Sequence, residues 1–241
     1  MPISSNFTSI LTRDWEINFL QCYPNGFLKY TDLCNILQLT AATHSEVGGI
    51  SFSDMQAFHQ AWVLSKMRVE IKRLPKWKEV VTVKTWVQSL ENSRSIRCLE
   101  VYLGDEKLVG CETFWAVFNT QIRRPEALAL PHDHFEKYPN DNAVKKSFSR
   151  IAIPSEMKKV ADYVVQLSDL DIVNHANSVK YLEWCLDALD SEVVLQQRIT
   201  SFEMNYLKEV SLANTITIAK NDTVFTIDNN GKTCFVLELE L

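Results

Sequence analysis

The spacing of hydrophobic residues changes several times along the chain, and the first half begins with a helical period. The stretch KYTDLCNILQLTAATHSEV has one largely apolar face, formed by Leu33, Ile36, Leu37, Thr40 and Ala41. The next stretch, AWVLSKMRVEIKRLPKWKEVVTVKTWVQSL, alternates between apolar and polar positions and predicts two strands. SIRCLEVYLGDEKLVGCETFWAVFN then predicts a hairpin that turns at Gly104 and Asp105.

The second half repeats this order of predicted elements: a helix, two strands and a hairpin. NSVKYLEWCLDAL predicts a helix that is apolar around most of its circumference, and such a helix belongs inside a fold. RITSFEMNYLKEVSLANTITIAK predicts two strands, and TVFTIDNNGKTCFVLELEL predicts a hairpin at Asn230–Gly231. VEIKRLPKWKEVVTV, from Val69, aligns with FEMNYLKEVSLANTI, from Phe202, in strand register. One unit, a helix followed by an antiparallel meander, is therefore used twice.

A proline-rich segment separates the two units. Four of the seven prolines are Pro125, Pro131, Pro139 and Pro154, which predicts a connector that crosses the surface. We therefore expect a first unit over residues 1–125, a connector over 126–155 and a second unit over 156–241. Each sheet covers its own apolar face by wrapping around its helix, and the two sheets join edge to edge. This arrangement is an α+β double hotdog; the alternative is two unrelated α+β halves.

Composition and charge narrow the classes of partner. The chain has 241 residues, 46% of them hydrophobic, and a net charge of -5, so no overall basic field exists for nucleic acid or an anionic membrane. The six cysteines include no CxxC pair, which indicates reduced thiols. No apolar run approaches the roughly 20 residues that span a bilayer, and the first residues lack the pattern of a signal peptide. We expect a cytoplasmic protein.

Polar residues with catalytic chemistry precede the second helix. SDLDIVNHANSVKYLEWCLDAL brings Asp171, Asn174, His175 and Asn177 close together in sequence. Free N–H groups at a helix N-terminus polarise a carbonyl and hold an oxyanion, and a carboxylate can activate water. The set suits hydrolysis of an ester or thioester with an apolar acyl chain. The alternative is that Asp171 and Asn177 only cap the helix while His175 is a surface residue.

No metal or cofactor is expected from the sequence. His132 and His134, in PHDH, have a spacing that metal sites use. Both lie in the connector, and no third ligand lies near them in sequence. A metal at this position is therefore not predicted.

Several segments resemble one family. The acyl-acyl carrier protein thioesterases, the plant and bacterial double-hotdog enzymes, have similar segments in the same order along the chain: TDLCNILQLTAATHSEVGG, FNTQIRRP, SDLDIVNHANSVKY and YLKEV. The resemblance covers roughly residues 8–125 and 160–220. It implies hydrolysis of fatty acyl-acyl carrier protein thioesters to free fatty acid and carrier protein, with the acylated carrier protein as partner. It also implies that the first unit binds the acyl chain and that the second carries the catalytic residues.

The resemblance assigns roles to three residues. Asp171 falls on the family's catalytic aspartate, His175 on its histidine and Glu209 on a glutamate. Together they would position and deprotonate a water, while helix amides hold the oxyanion. We therefore expect Glu209, predicted on a strand, to lie near the start of the second helix.

One position departs from the family pattern. The catalytic asparagine falls on Val173, and Asn174 follows one residue later. Asn174 and Asn177 are therefore possible catalytic or substrate-positioning residues. We expect backbone amides and His175, rather than Asn174, to hold the oxyanion.

Three alternatives stay open at this point. An acyl-CoA thioesterase of the hotdog fold differs only in the thiol carrier. A hydratase is disfavoured, because its signature has proline two residues before the histidine, where this chain has Val173. A non-catalytic acyl-thioester-binding protein would not need Asp171, His175 and Glu209 together. The chain-length preference and the choice between monomer and homodimer are also open.

Overall fold

The computed structural model describes residues 3–241, and in this range the chain forms eleven strands and four α-helices. The helices are α1 (Tyr30–Val47), α2 (Phe52–Gln56), α3 (Ser178–Asp187) and α4 (Ser191–Leu195). The strands of the first half are β1 (Ile10–Glu16), β2 (Gln60–Ile71), β3 (Val80–Glu91), β4 (Arg94–Leu103), β5 (Glu106–Asn119) and β6 (Arg124–Pro125). Those of the second half are β7 (Lys158–Val164), β8 (Ser201–Tyr206), β9 (Thr215–Asn221), β10 (Val224–Asn229) and β11 (Lys232–Glu240).

The strands form one continuous antiparallel sheet in which each half follows the same path. The order is β1-β3-β4-β5-β2 in the first half and β8-β11-β10-β9-β7 in the second, and β6 pairs with β5. The halves meet where β2 pairs with β8, from Lys66↔Asn205 to Glu70↔Ser201. This edge-to-edge junction confirms the predicted double hotdog.

Each half covers its inner face with one amphipathic helix. In α1 the fully buried side chains include Leu33, Cys34, Ile36 and Leu37, and in α3 they include Leu182 and Cys185. These residues share a single core with the inward faces of the strands. Burial raises the pKa of the Cys185 thiol, as expected of a cysteine that packs in the core.

Most turns and helix ends lie where turn residues and capping residues in the sequence predict them. Both predicted hairpin turns are present, and Gly104 and Gly231 have the positive φ that tight turns require. The second helix ends at Asp187 rather than Leu189, because Asp190 caps the separate helix α4 through the Glu192 amide. No helix between residues 3 and 241 has both the length and the hydropathy needed to cross a membrane.

The sequence predicted a connector that crosses the surface, and the structure shows that part of this connector is also buried. Residues 126–157 form no helix or strand, yet Ala143, Val144 and Ile151 are buried. The main-chain amides of Lys145 and Lys146 donate to Glu70. The segment therefore covers carboxylates that the central strands carry on the outer side of the sheet.

A buried ion pair lies at the junction of the halves. Arg68 on β2 and Glu203 on β8 are direct register partners, and each is at least 97% buried. Arg68 Nη1 lies 3.6 Å from Glu203 Oε2, and Arg68 Nη2 lies 3.1 Å from Glu240 Oε1. Because both charges have lost their hydration, each depends on the other for stabilisation.

Replacing Arg68 should therefore destabilise the fold. We expect Arg68→Met to lower the free energy of unfolding by about 3 kcal/mol, because Glu203 would keep a buried charge without a cation. Urea denaturation measures the change. Lys72→Met is the control: the Lys72–Glu106 pair is exposed, so its loss should cost less than about 1 kcal/mol. Equal losses in the two variants would contradict the assigned importance of the buried pair.

Candidate active site

The loop that enters α3 is organised by the backbone and by one carboxylate oxygen. The Asp171 amide donates to the His175 carbonyl at 2.8 Å, and the Asn174 amide donates to the Asp171 carbonyl at 3.0 Å. Asp171 Oδ1 accepts from the amides of Val173, at 3.0 Å, and His175, at 3.2 Å. Asp171 Oδ2 has no hydrogen-bond partner within residues 3–241. One oxygen therefore holds the loop, and the other is available to a ligand.

The corresponding loop of the first half has the same backbone and different side chains. The Tyr23 amide donates to the Phe27 carbonyl at 2.8 Å, and the Gly26 amide donates to the Tyr23 carbonyl at 2.9 Å. Tyr23 and Phe27 thus occupy the places of Asp171 and His175. The first half therefore has no acid and imidazole at these two places.

Asn174 has the left-handed conformation that Gly26 has in the first loop. Its φ is 65°, against 80° for Gly26, and asparagine is one of the few residues that tolerates this region. Asn174 is exposed, and its side chain makes no hydrogen bond within the described part of the chain. The structure therefore gives its backbone, rather than its amide group, a role in the loop.

Glu209 lies beside His175 although the two are far apart in sequence. His175 Nε2 is 3.4 Å from Glu209 Oε2, and Arg123 forms an ion pair with the same oxygen. Glu209 is in the connection after β8 rather than on a strand, which corrects the sequence-based expectation. The adjacent residue fixes its place: the Val210 carbonyl accepts from the Ala176 amide, and the Val210 amide donates to the Tyr181 hydroxyl.

Asn177 is the N-cap of α3. Its Oδ1 accepts from the Val179 amide at 3.0 Å, and its carbonyl accepts from the Lys180 amide at 2.9 Å. The Ser178 amide is left without an acceptor in the described part of the chain, at the positive end of the helix. The N-terminus of α3 therefore offers one free donor close to His175 in sequence.

A cavity of about 360 Å³ lies in the first half, between α1 and the inward faces of the strands, and reaches Asn177. Its apolar lining includes Ala41, Ile50, Trp62, Val87, Leu90 and Trp115. Asp171, His175 and Glu209 do not line it. Its lining joins the first half to the start of α3, and its apolar part suits an acyl chain.

A buried cation lies in the wall of this cavity. Arg97 Nη1 donates to His44 Nδ1 at 2.7 Å, and no carboxylate within residues 3–241 forms an ion pair with Arg97. Burial lowers the pKa of Arg97 to about 10. Burial, followed by the charge of Arg97, lowers the pKa of His44 to about 3. His44 is therefore neutral, and its Nε2 donates to the Thr8 carbonyl at 2.9 Å.

The two histidines of the connector bind main-chain carbonyls. His132 Nδ1 lies 2.9 Å from the Leu130 carbonyl and His134 Nε2 lies 2.8 Å from the Gly48 carbonyl. Within the described residues, no group of three or more His, Cys, Asp or Glu side chains is arranged to hold a metal.

Comparison with known proteins identifies the family. The model of the acyl-ACP thioesterase N-terminal domain matches residues 9–138, and that of the C-terminal domain matches residues 153–238. The chain belongs to the acyl-ACP thioesterase family. This confirms the resemblance found in the sequence.

Named members of the acyl-ACP thioesterase family include plant proteins. A palmitoyl-acyl carrier protein thioesterase of Arabidopsis thaliana is 31% identical over 193 residues, which are 73% of this chain and 46% of that protein. An oleoyl-acyl carrier protein thioesterase of Coriandrum sativum is 24% identical over 212 residues, 79% of this chain and 57% of that protein. The chain thus spans about half the length of these relatives.

Solved structures in the acyl-ACP thioesterase family match almost the whole chain. An acyl-ACP thioesterase from Bacteroides thetaiotaomicron superposes with a TM-score of 0.79 at 25% identity, over 96% of this chain and 97% of that chain. A 12:0-ACP thioesterase from Umbellularia californica gives 0.78 at 18% identity over 97% of each chain, which shows the shared fold.

Sequence reasoning missed several residues of this family member's site. Arg123 lies in FNTQIRRP, and no sequence pattern indicated its ion pair with Glu209. No sequence signal pointed to Tyr181 as the partner of the Val210 amide, or to His44 and Arg97 beside the cavity. Each depends on contacts between distant segments.

The His44–Arg97 pair should make stability depend on pH. His44 is protonated in the unfolded chain below about pH 6.5, but in the folded chain only below about pH 3. Only the unfolded state binds this proton between these values, so stability falls as the pH falls from about 6.5 towards 3. In His44→Asn, Oδ1 still accepts from Arg97 but does not titrate. Between pH 7 and pH 5, we expect the free energy of unfolding of the wild type, measured in urea, to fall by about 2 kcal/mol more than that of this variant. Equal losses would contradict a neutral His44.

Proposed function

We propose that the chain hydrolyses fatty acyl-acyl carrier protein thioesters and releases free fatty acid and carrier protein. The observation that carries the proposal is the contact between His175 and Glu209 at the start of α3. A carboxylate and an imidazole from separate segments meet there, and Asn177 links the end of this loop to an apolar cavity. The named relatives support acyl-ACP as the substrate.

The proposed reaction uses a water molecule. His175 and Glu209 hold the water, and Asp171 accepts its proton on the free Oδ2. The water oxygen then bonds to the thioester carbonyl carbon, and the carbonyl electron pair moves onto oxygen. When that pair returns, the C–S bond breaks and the thiolate takes the proton. Acid–base assistance of this kind contributes roughly 10²- to 10⁴-fold in rate.

The two halves divide the task in this proposal. The unit over residues 1–125 binds the acyl chain in the cavity beside α1, and the unit over residues 156–241 carries Asp171, His175 and Glu209. The connector over residues 126–155 covers the outer face of the junction. The carrier protein docks near Arg123 and Arg124, which are both exposed, and Arg123 contacts Glu209. Arg68 takes no part in that contact, because it is buried. A cytoplasmic location stays a prediction.

The test is hydrolysis across a matched panel of acyl-carrier-protein and acyl-CoA thioesters. We expect the carrier-protein thioesters to have the higher kcat/KM. A higher kcat/KM for the acyl-CoA thioesters would make acyl-CoA the assigned substrate. If the protein hydrolysed neither class of thioester, the proposed hydrolysis would be rejected in favour of acyl binding without catalysis.

Replacing the proposed base should separate catalysis from loop structure. Asp171→Asn retains Oδ1, which accepts from the Val173 and His175 amides, so the melting temperature should change little. It removes the base, and we expect kcat to fall by at least about 10²-fold. Asp190→Asn, which replaces the cap of α4, is the control and should retain activity. Near-native turnover in Asp171→Asn would show that Asp171 only caps the loop.

The role of Asn174 can be tested without straining the loop. Alanine would be strained at a φ of 65°, whereas glycine adopts this conformation freely. Asn174→Gly therefore removes only the side-chain amide. We expect kcat to change less than about threefold, far below the roughly hundredfold cost of a lost oxyanion donor. A hundredfold loss with an unchanged melting temperature would assign the missing asparagine's role to Asn174.

A further inference from the structure

Helix α1 places one amide side chain where the cavity meets the start of α3. Gln38 lines the cavity together with Asn177. Its Oε1 accepts from Ser178 Oγ at 3.0 Å, and Ser178 is the first residue of α3. Gln38 therefore bridges the acyl-binding half and the half that carries Asp171, His175 and Glu209.

The other end of this amide is buried without a partner. Gln38 Nε2 has no hydrogen-bond partner within residues 3–241, although its exposed surface is close to zero. Buried polar atoms are nearly always hydrogen-bonded in folded proteins, so an unpaired one on a side chain that lines a cavity requires an explanation. A substrate oxygen in the cavity would provide the missing acceptor.

A second donor lies on the neighbouring residue. The Ser178 amide is the free N–H at the positive end of α3. Its side chain holds Gln38, so the Ser178 N–H and Gln38 Nε2 belong to the same small region. Two preorganised donors that reach the same carbonyl oxygen would form an oxyanion hole.

We propose that Gln38 is a catalytic residue whose Nε2 donates to the thioester carbonyl oxygen. Gln38 lies in the first half and supplies a carboxamide that the second half lacks, because Val173 stands at the position of the family's catalytic asparagine. This inference rests on the proposed thioester hydrolysis. As the attacking oxygen bonds to the carbonyl carbon, negative charge collects on the carbonyl oxygen, and Gln38 and the Ser178 amide stabilise it. Gln38 itself gains and loses no proton.

Variants of Gln38 can separate its donor group from its hydrogen bond to Ser178. Gln38→Met keeps the approximate length of the side chain and removes its donors, so kcat should fall about 100-fold with KM changed little. Gln38→Glu keeps Oε1, which accepts from the Ser178 hydroxyl, and replaces only the donor, so kcat should fall as far. Gln88→Met, on β3 and outside the cavity lining, is the control and should retain kcat. Near-native kcat in Gln38→Glu would show that Gln38 only ties α1 to α3 and would overturn the proposal.

A measurement without turnover tests the same contact. The probe is an acyl-pantetheine analogue in which a methylene group replaces the sulfur and the ketone carbonyl carries ¹³C. A hydrogen bond from Gln38 should lower the carbonyl stretching frequency in the wild type, and the frequency should return towards its value in water-free solvent in Gln38→Met. Identical frequencies in both proteins would overturn the proposal.

The two measurements also separate this inference from the proposed function. A frequency shift without hydrolysis of any thioester would reject the function and retain Gln38 as a carbonyl-binding residue. Hydrolysis by the wild type with no effect of Gln38→Met on kcat or frequency would retain the function and reject Gln38.

Discussion

The antiparallel pairing of β2 with β8 is the constraint on which the rest of the structure depends. It joins the two halves of the sheet, each of which would otherwise expose a long unpaired edge. It places Arg68 opposite Glu203, so a buried ion pair forms on the outer side of the junction. It also brings α1 beside α3, and without this proximity Gln38 would not reach Ser178. The contact of Arg123 with Glu209 depends on the same junction, because each residue lies in a different half.

The repeated fold presents different side chains on the same loop backbone in its two halves. In both halves the loop before the central helix is closed by the same main-chain hydrogen bonds and by a residue with positive φ, Gly26 or Asn174. Because the backbone determines the loop, the side chains at the other positions are largely free to change. The first half has Tyr23 and Phe27 where the second has Asp171 and His175.

The difference between local patterns and contacts of distant segments accounts for what the sequence could predict. The central helices, the hairpins and the double-hotdog arrangement follow from hydrophobic period and turn residues, which are local properties. The outermost strands β1 and β7 were not predicted, because ILTRDWE and KKVADYV have few buried positions and therefore little alternation. Family resemblance selected Glu209, and the structure shows the contact with His175. No sequence pattern indicates Gln38, because a polar residue beside the apolar face of a helix looks the same whether it faces solvent or a cavity.

The electrostatics of the cavity fit the formation of an oxyanion rather than the binding of a cation. A buried guanidinium is usually compensated by a carboxylate, which would add negative charge close to the substrate. Here neutral His44 accepts from Arg97 instead, and the carboxylates of the second half hold the loop or contact His175 outside the cavity lining. In the described part of the chain, the buried part of the cavity wall therefore contains the Arg97 cation and the unpaired Gln38 Nε2, and the one carboxylate in the lining, Glu46, is exposed. Because these donors are held before any substrate arrives, a developing negative charge would be stabilised without reorganisation of the protein.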